Sequence, residues 1–507
     1  MRRSVALALA SVLSVTVLAA PALGGPSRGR TTTSPARAVA TRALHTADRV
    51  LSGAAPGGGA SMALLRLRLT MNALSPADRR HAAAILARPT DHPDFYGESY
   101  SVKAEKKCAG HICIHWVPTT RDAPPSTSWV DRQLRMLNHV WSFEVRKLGY
   151  HRPVSDGTKG GGGAGRFDVY LKELFHQGLY GLTVAEQRAP YNQHLYSSYL
   201  LLDNDFKRSQ YHADPMQEAR VTAAHEFFHA IQYGYDATED PWLMESTATW
   251  MEEQYDDSSN DNLQYLPWSQ LQRTGTPLDT FNPSSFEQYG NWVFFEYLSE
   301  HFGRRVVRSV WTRAASFQGG GHEFSSAAVR SALRRHGGMT NVFASYASGN
   351  TVPARTYAEG HSAAYTPAPL SRSVTLTAAS PRTAWTRYAV RHLASVDLRA
   401  RPGTGLRGQK WRLRVQVHGP HRATMPAVVV LVVRRHHPMT RALVPLSRTG
   451  RGRLVVPFGR ATTKAVTVTL ANTSTRFHCH THDVYSCHGT PLAAHPAFHV
   501  RLVAFRH

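Results

Sequence analysis

Two Asp-Pro dipeptides, Asp214-Pro215 and Asp240-Pro241, punctuate the middle of this 507-residue chain. Each is a helix-start signal. The aspartate can accept from the first unpaired backbone N–H groups, and proline sets φ where an N–H would lack a partner anyway. The first predicts a helix reaching Tyr233 and stopped by Gly234. The second predicts a helix through "WLMESTATWMEEQY". The connection, "YDATED", is short enough to fold the second helix back along the first. Such a hairpin constrains everything around it, because it fixes which side chains face each other.

Chemistry sits inside the first helix. In "AAHEFFHAIQYG", His225 and His229 are four apart, so both rings leave the same helix face. Zinc takes four ligands, and a hydrolytic site leaves one position for water. Glu226, next to the first histidine, is where a carboxylate can reach that water as general base. This is the physical content of the H-E-x-x-H pattern. A third ligand decides the matter. Tyr235 stands six residues after His229, where one arrangement would place a further histidine. The remaining candidate is Glu245, 16 residues beyond His229 and about one turn into the second helix. Its flanks Trp242, Leu243, Met244, Ala248 and Trp250 predict a buried helix face. A carboxylate there needs a charge partner. Glu252 and Glu253 read as exposed helix carboxylates.

"HEFFHAIQYGYD" followed by "WLMESTATWMEE" resembles the zincin metallopeptidases of the gluzincin type, in which a glutamate on a second helix completes the site. The wider run from "CIHWV" through "LDNDF" to "YGNWVFFEYLSEHFG" is similar to a group of secreted bacterial zinc metalloproteases, over roughly residues 100–315. That resemblance implies one catalytic Zn2+ held by His225, His229 and Glu245, with Glu226 as base. It also implies a tyrosine from a later helix as oxyanion donor, for which Tyr289 in "FEQYGNW" is the candidate ahead of Tyr233 and Tyr235. The spacing from His229 to Glu245 is shorter than in thermolysin-like or aminopeptidase families, so their substrate rules do not carry over.

The rest of the chain sets the context. Residues 1–24 combine Arg2 and Arg3, an apolar run and small residues at Ala20–Gly24, the pattern of a cleaved secretory signal. No later run is long enough to span a bilayer. Four cysteines suit an oxidising compartment, and Cys108–Cys113 and Cys479–Cys487 are the simplest pairing of three. Residues 25–98 read as a helical pro-region or an attached N-terminal segment, with Ser75-Pro76 starting its second helix. Residues 99–350 read as a strand, a helix, further strands and then a run of helices, an α+β pattern, and the resemblance makes this a zincin-like catalytic domain. Residues 351–370 read as a linker, and 371–507 as a β-sandwich of seven short strands. Asp203-Asn204-Asp205 reads as a strand-ending turn.

Charge is unevenly spread. Residues 371–507 hold 22 Lys and Arg against Asp397 and Asp483, while residues 201–300 hold 18 acids against four bases. The basic tail suits an anionic cell-envelope surface. No aromatic–basic pattern of a nucleic-acid module stands out. The expectation is a secreted zinc endopeptidase acting on protein or peptide. The alternatives are an aminopeptidase, or a non-catalytic envelope-binding protein with a structural zinc.

Overall fold

The structure is a computed structural model and describes residues 34–54, 59–91, 99–163 and 165–507. The expected signal peptide lies outside the described residues. The chain begins with three helices, α1 (Pro35–Leu51), α2 (Ala60–Thr70) and α3 (Pro76–Ile85). Ser75 caps α3 as its sequence predicts, accepting the Asp78 N–H. Apolar residues of these helices, among them Leu64, Leu67 and Ile85, pack against Leu182, Val184 and Tyr199.

Those last three belong to a five-stranded sheet. Its strands are β1 (Glu105–Ala109), β2 (Ile112–Trp116), β3 (Phe167–Lys172), β4 (Gly181–Arg188) and β5 (Tyr196–Asp203), in the order β1-β2-β3-β5-β4. β2, β3 and β5 run parallel, and both outer strands pair antiparallel. β4 is therefore an edge. Helix α4 (Thr127–Trp141) carries the chain between the parallel β2 and β3. At the end of β5, Asp203 accepts the N–H groups of Asp205 and Phe206, so the "DND" stretch is a turn held by its own carboxylate.

After the short α5 (Arg208–Tyr211) come α6 (Pro215–Asp236) and α7 (Pro241–Tyr255), the two Asp-Pro helices, packed on each other. Two details differ from expectation. Gly234 does not stop α6, which runs two residues further. Tyr235 is drawn into the core by Trp311 and Phe317, and Asp236 closes the helix by accepting the Thr238 N–H. Packing here outweighs the local cost of a helical glycine. Asp240 does not cap α7 with its side chain; its carboxylate accepts the Cys487 N–H instead. The remaining helices are α8 (Glu287–Gly290), α9 (Trp292–Phe302), α10 (Arg305–Ala314), α11 (Ser326–Ala332) and α12 (Gly338–Gly349).

The C-terminal unit is a sandwich. Its strands are β6 (Arg372–Leu376), β7 (Thr386–Ala389), β8 (Ala394–Pro402), β9 (Trp411–His418), β10 (Pro426–Arg434), β11 (Thr440–Leu443), β12 (Arg451–Pro457) and β13 (Thr463–Asn472), followed by the short β14 (Phe477–His478) and β15 (Thr490–Pro491) and by β16 (Ala497–Arg506). Two sheets, β11-β10-β13-β8-β6 and β12-β9-β16-β7, enclose one core. β8 and β11 add to the seven expected strands. Both faces of β10 are covered. Val428, Val430 and Val432 fill the sandwich, while Ala427 and Val429 join the core of the helical unit, against which α12 packs. This explains why "AVVVLVV" shows no polar alternation. Residues 351–370 do not read as a free linker in three dimensions: Tyr357 and Tyr365 are buried in the same core.

Both disulfides pair as the simplest reading has it, Cys108–Cys113 across the β1–β2 turn and Cys479–Cys487. Among the described residues no helix is long and apolar enough to cross a membrane.

Candidate metal centre

His225 and His229 project from α6 toward Glu245 on α7. The Nε2 atoms of the two rings are 3.1 Å apart, and Glu245 Oε2 lies 3.3 Å from the first and 3.6 Å from the second. One potential ligand atom from each residue falls within 4.8 Å of the others. All three residues are buried, Glu245 at 1% exposure.

The outward ring nitrogens fix what the inward ones present. His229 Nδ1 is 2.7 Å from Gln232 Oε1. The Gln232 amide is oriented by donating its Nε2 to Met244 O and Thr247 Oγ1, so its oxygen faces the ring and His229 Nδ1 carries the proton. His225 Nδ1 is 2.6 Å from Glu252 Oε1, which assigns the same tautomer. Neutral rings held this way present bare Nε2 lone pairs to each other and to Glu245, whose two oxygens have no hydrogen-bond donor. A buried cluster of acceptors without donors can be satisfied by a cation. Without one, protons must serve. Burial works against charge on His225, but Glu245 and Glu252 outweigh it and hold the ring protonated well above the usual range. Burial would raise Glu245, but His225 and His229, once protonated beside it, bring its carboxyl down to about 2. The donor set, two imidazoles and one carboxylate with oriented outer nitrogens, fits Zn2+.

Glu226 sits beside this cluster, 7% exposed. Its Oε2 accepts from Ser61 Oγ at 2.8 Å and lies 2.7 Å from Thr183 Oγ1 on edge strand β4. Tyr289 is placed by α8, where Gly290 lets the chain pass the 265–269 stretch; a Cβ there would fall 2.6 Å from Ser269 N. The Tyr289 ring stacks 6.0 Å from that of His225, and its oxygen accepts the Gly59 N–H at 2.5 Å. Burial, then the Glu245 charge, keeps its hydroxyl protonated well above the usual range. Tyr233 is buried under the site and stacks on His229, while the Tyr235 oxygen points away to His151 N. A cleft of roughly 290 Å³ opens onto His225 and Glu226, walled by Tyr180, Tyr265, Trp268 and Tyr289.

The sequence reasoning missed four partners: Ser61, Thr183, Gln232 and Glu252. It also placed Glu252 and Glu253 on the surface, whereas both are buried, at 6% and 5% exposure. Glu252 had a signal. It lies seven residues after Glu245, two turns along the same helix face. The histidine-rich stretch at 478–488 docks on the start of α7, with His488 Nε2 3.6 Å from Asp240.

No family model matches this chain, and no curated protein matches it. Among solved structures, a family GH115 4-O-methyl-alpha-glucuronidase with specificity for decorated arabinogalactans shares 7% identity at a TM-score of 0.14. The match covers 71% of this chain and 54% of that one. A likeness this slight carries no argument about fold or activity.

Proposed function

We propose that this chain is an exported zinc-dependent endopeptidase of the zincin type. The observation that carries the reading is the convergence of His225, His229 and Glu245 on one point, with Glu226 alongside. Zn2+ would be held by the two Nε2 atoms and the Glu245 carboxylate, and when bound it supplies Lewis acidity and a water of lowered pKa. The chain's own groups do the rest. Glu226 accepts a proton from the attacking water as the C–O bond forms. It returns that proton to the departing amine nitrogen as the C–N bond breaks. The Tyr289 hydroxyl, kept protonated, donates to the developing oxyanion. Edge strand β4, whose Thr183 N–H is taken by Ser61 in this structure, would offer main-chain groups to an extended peptide once uncovered. A structural zinc site needs the ligands but not Glu226, which favours catalysis over a binding module. The two disulfides agree with export, and the arginine-rich sandwich suits anionic envelope polymers, with binding that weakens as salt rises.

The test compares the zinc-loaded parent with Glu226→Gln on an unfolded protein, reading new amino termini. Loss of the base lowers the rate by about 10²–10⁴-fold. Equal cleavage by both refutes the mechanism. Zinc content is scored against Glu245→Gln, which removes one of the three ligands and leaves every other histidine in place, those at 478–488 included.

A further inference from the structure

Three groups that a working site must keep free are all engaged by one tripeptide of the same chain. Gly59 donates its N–H to the Tyr289 oxygen. Ser61 Oγ donates to Glu226 Oε2. The same Ser61 oxygen accepts the Thr183 N–H of edge strand β4 at 2.9 Å. Tyr289, Glu226 and β4 are the groups assigned above to the oxyanion, the water proton and the substrate main chain.

The approach is close. Gly59 has φ 81°, and a Cβ on it would sit 3.9 Å from Glu245 Oε1 and 3.7 Å from the Phe281 ring. Ala60 and Ser61 are 4% and 3% exposed. The segment is also fastened from behind. Met62 and Leu65 of α2 enter the main core, and Leu64 and Leu67 pack over β4. A contact made only for packing would be apolar. This one matches a backbone N–H to a tyrosine oxygen and a hydroxyl to a buried carboxylate, where an extended peptide paired to β4 would have to lie.

We propose that Gly59–Ser61 is a tethered occupant of the β4 side of the substrate path, beside the cleft that reaches His225 and Glu226, and that this side opens when the N-terminal end of α2 withdraws. The naming of a substrate path rests on the peptidase reading; the contacts of Gly59 and Ser61 with Tyr289, Glu226 and β4 do not. The Ser61 hydroxyl stands in for the water that Glu226 would deprotonate, so the closed state satisfies the base with a group that leads to no reaction. Opening requires no disruption of the sheet. It frees one residue before α2, the first turn of that helix with Met62 leaving the main core, and the hydrogen bonds named above.

The experiment uses the full chain, with Gly59→Pro and Ser61→Val. Proline at 59 has no N–H for Tyr289 and its ring excludes φ 81°. Valine at 61 has no hydroxyl for Glu226. Each protein is loaded with Co2+ as a visible-absorbing stand-in for zinc and titrated with a dipeptide hydroxamate. Amide exchange over residues 59–61 is followed by mass spectrometry on the metal-free chains, and melting curves verify folding. The parent is expected to bind hydroxamate at least tenfold more weakly than either variant. Its 59–61 amides should be protected, and hydrolysis of an unfolded protein should rise in the variants in parallel. Equal hydroxamate affinity in all three overturns the proposal. So do unprotected 59–61 amides in the parent, whether or not cobalt binds. A hydroxamate difference with no hydrolysis by any chain keeps the obstruction and overturns the peptidase reading instead.

Discussion

Arg88, just after α3, offers a direct measure of how tightly the N-terminal helices are held. Its guanidinium is 2% exposed and meets three carboxylates: Asp156 at 2.5 Å, Asp168 at 2.6 Å and Glu186 through both oxygens at 2.8 and 2.9 Å. Burial works against its charge, but Glu186, Tyr170 and Asp156 outweigh that and keep it protonated. Arg88→Met keeps most of the aliphatic stem and removes the cation. Removing one partner of a buried ion pair costs about 3–5 kcal/mol, because the other charge is left uncompensated. Three carboxylates do not triple that figure here. His115 still reaches Asp168 at 2.8 Å, and Lys159 still reaches Glu186 at 3.2 Å. The expected loss is therefore about 3–5 kcal/mol for the whole network. Equilibrium unfolding in urea, followed by tryptophan fluorescence, reads it. Arg88→Lys should recover only part of the loss, since an ammonium does not bridge three carboxylates in a plane. A loss below about 1 kcal/mol would refute the claim that this cation anchors the helices. The same geometry predicts that a cut ahead of residue 99 yields a nicked complex and not a freed segment. Size-exclusion chromatography with intact-mass analysis distinguishes the two. An anchor at Arg88 is compatible with opening at Gly59, because only the far end of α2 has to move.

Three further outcomes follow from the site and the sandwich. Glu252→Gln should weaken zinc binding by about 10–100-fold, the usual effect of losing a ligand's outer partner, read by competition with a chromophoric chelator. Zinc at 100 times its Kd should stabilise the parent by about 2.7 kcal/mol in thermal unfolding, and Glu245→Gln should lose most of that gain. In the sandwich, burial pushes the Asp397 carboxyl up to about 7, with Thr469 Oγ1 donating to one oxygen and no donor for the other. Its folded pKa exceeds its unfolded value near 3.8, so its contribution is complete below pH 3.8 and is lost as pH rises through 7. Asp397→Asn should therefore be on the order of 2–4 kcal/mol more stable than the parent at pH 8 and gain nothing at pH 4.

What the sequence revealed of this molecule, and what it hid, follows from the range of the forces involved. His225, His229 and Glu245 were legible because helix geometry alone sets which residues share a face, and a short loop sets which faces meet. The edge strand β4 was not, because "GLTVAEQR" opens on glycine and its burial comes from α2 and α6 covering it, a fact of tertiary structure. Residues 351–370 looked like a linker by composition, yet Tyr357 and Tyr365 are the large apolar groups in it and both are buried. Gly59 and Ser61 carried no local signal at all. Their partners are 230 and 165 residues away, and only the packed structure brings a small-residue stretch to a buried carboxylate.

Helix α7 suggests how such sites can be recognised before any partner is known. Its residues Trp242 to Gln254 are all buried, and Glu245, Glu252 and Glu253 are among them. A helix buried on every side has no solvated face on which to place carboxylates, so each one has to be neutralised or paired inside. Glu253 takes the Asn262 amide and is raised to about 9, first by burial and then by Asp257, so it is held neutral. Glu252 accepts a hydrogen bond from His225 Nδ1. Glu245 alone is left facing only lone pairs, with both oxygens lacking a donor. Elimination along one helix thus singles out the carboxylate best placed to hold a cation, from burial and hydrogen bonding without reference to any motif.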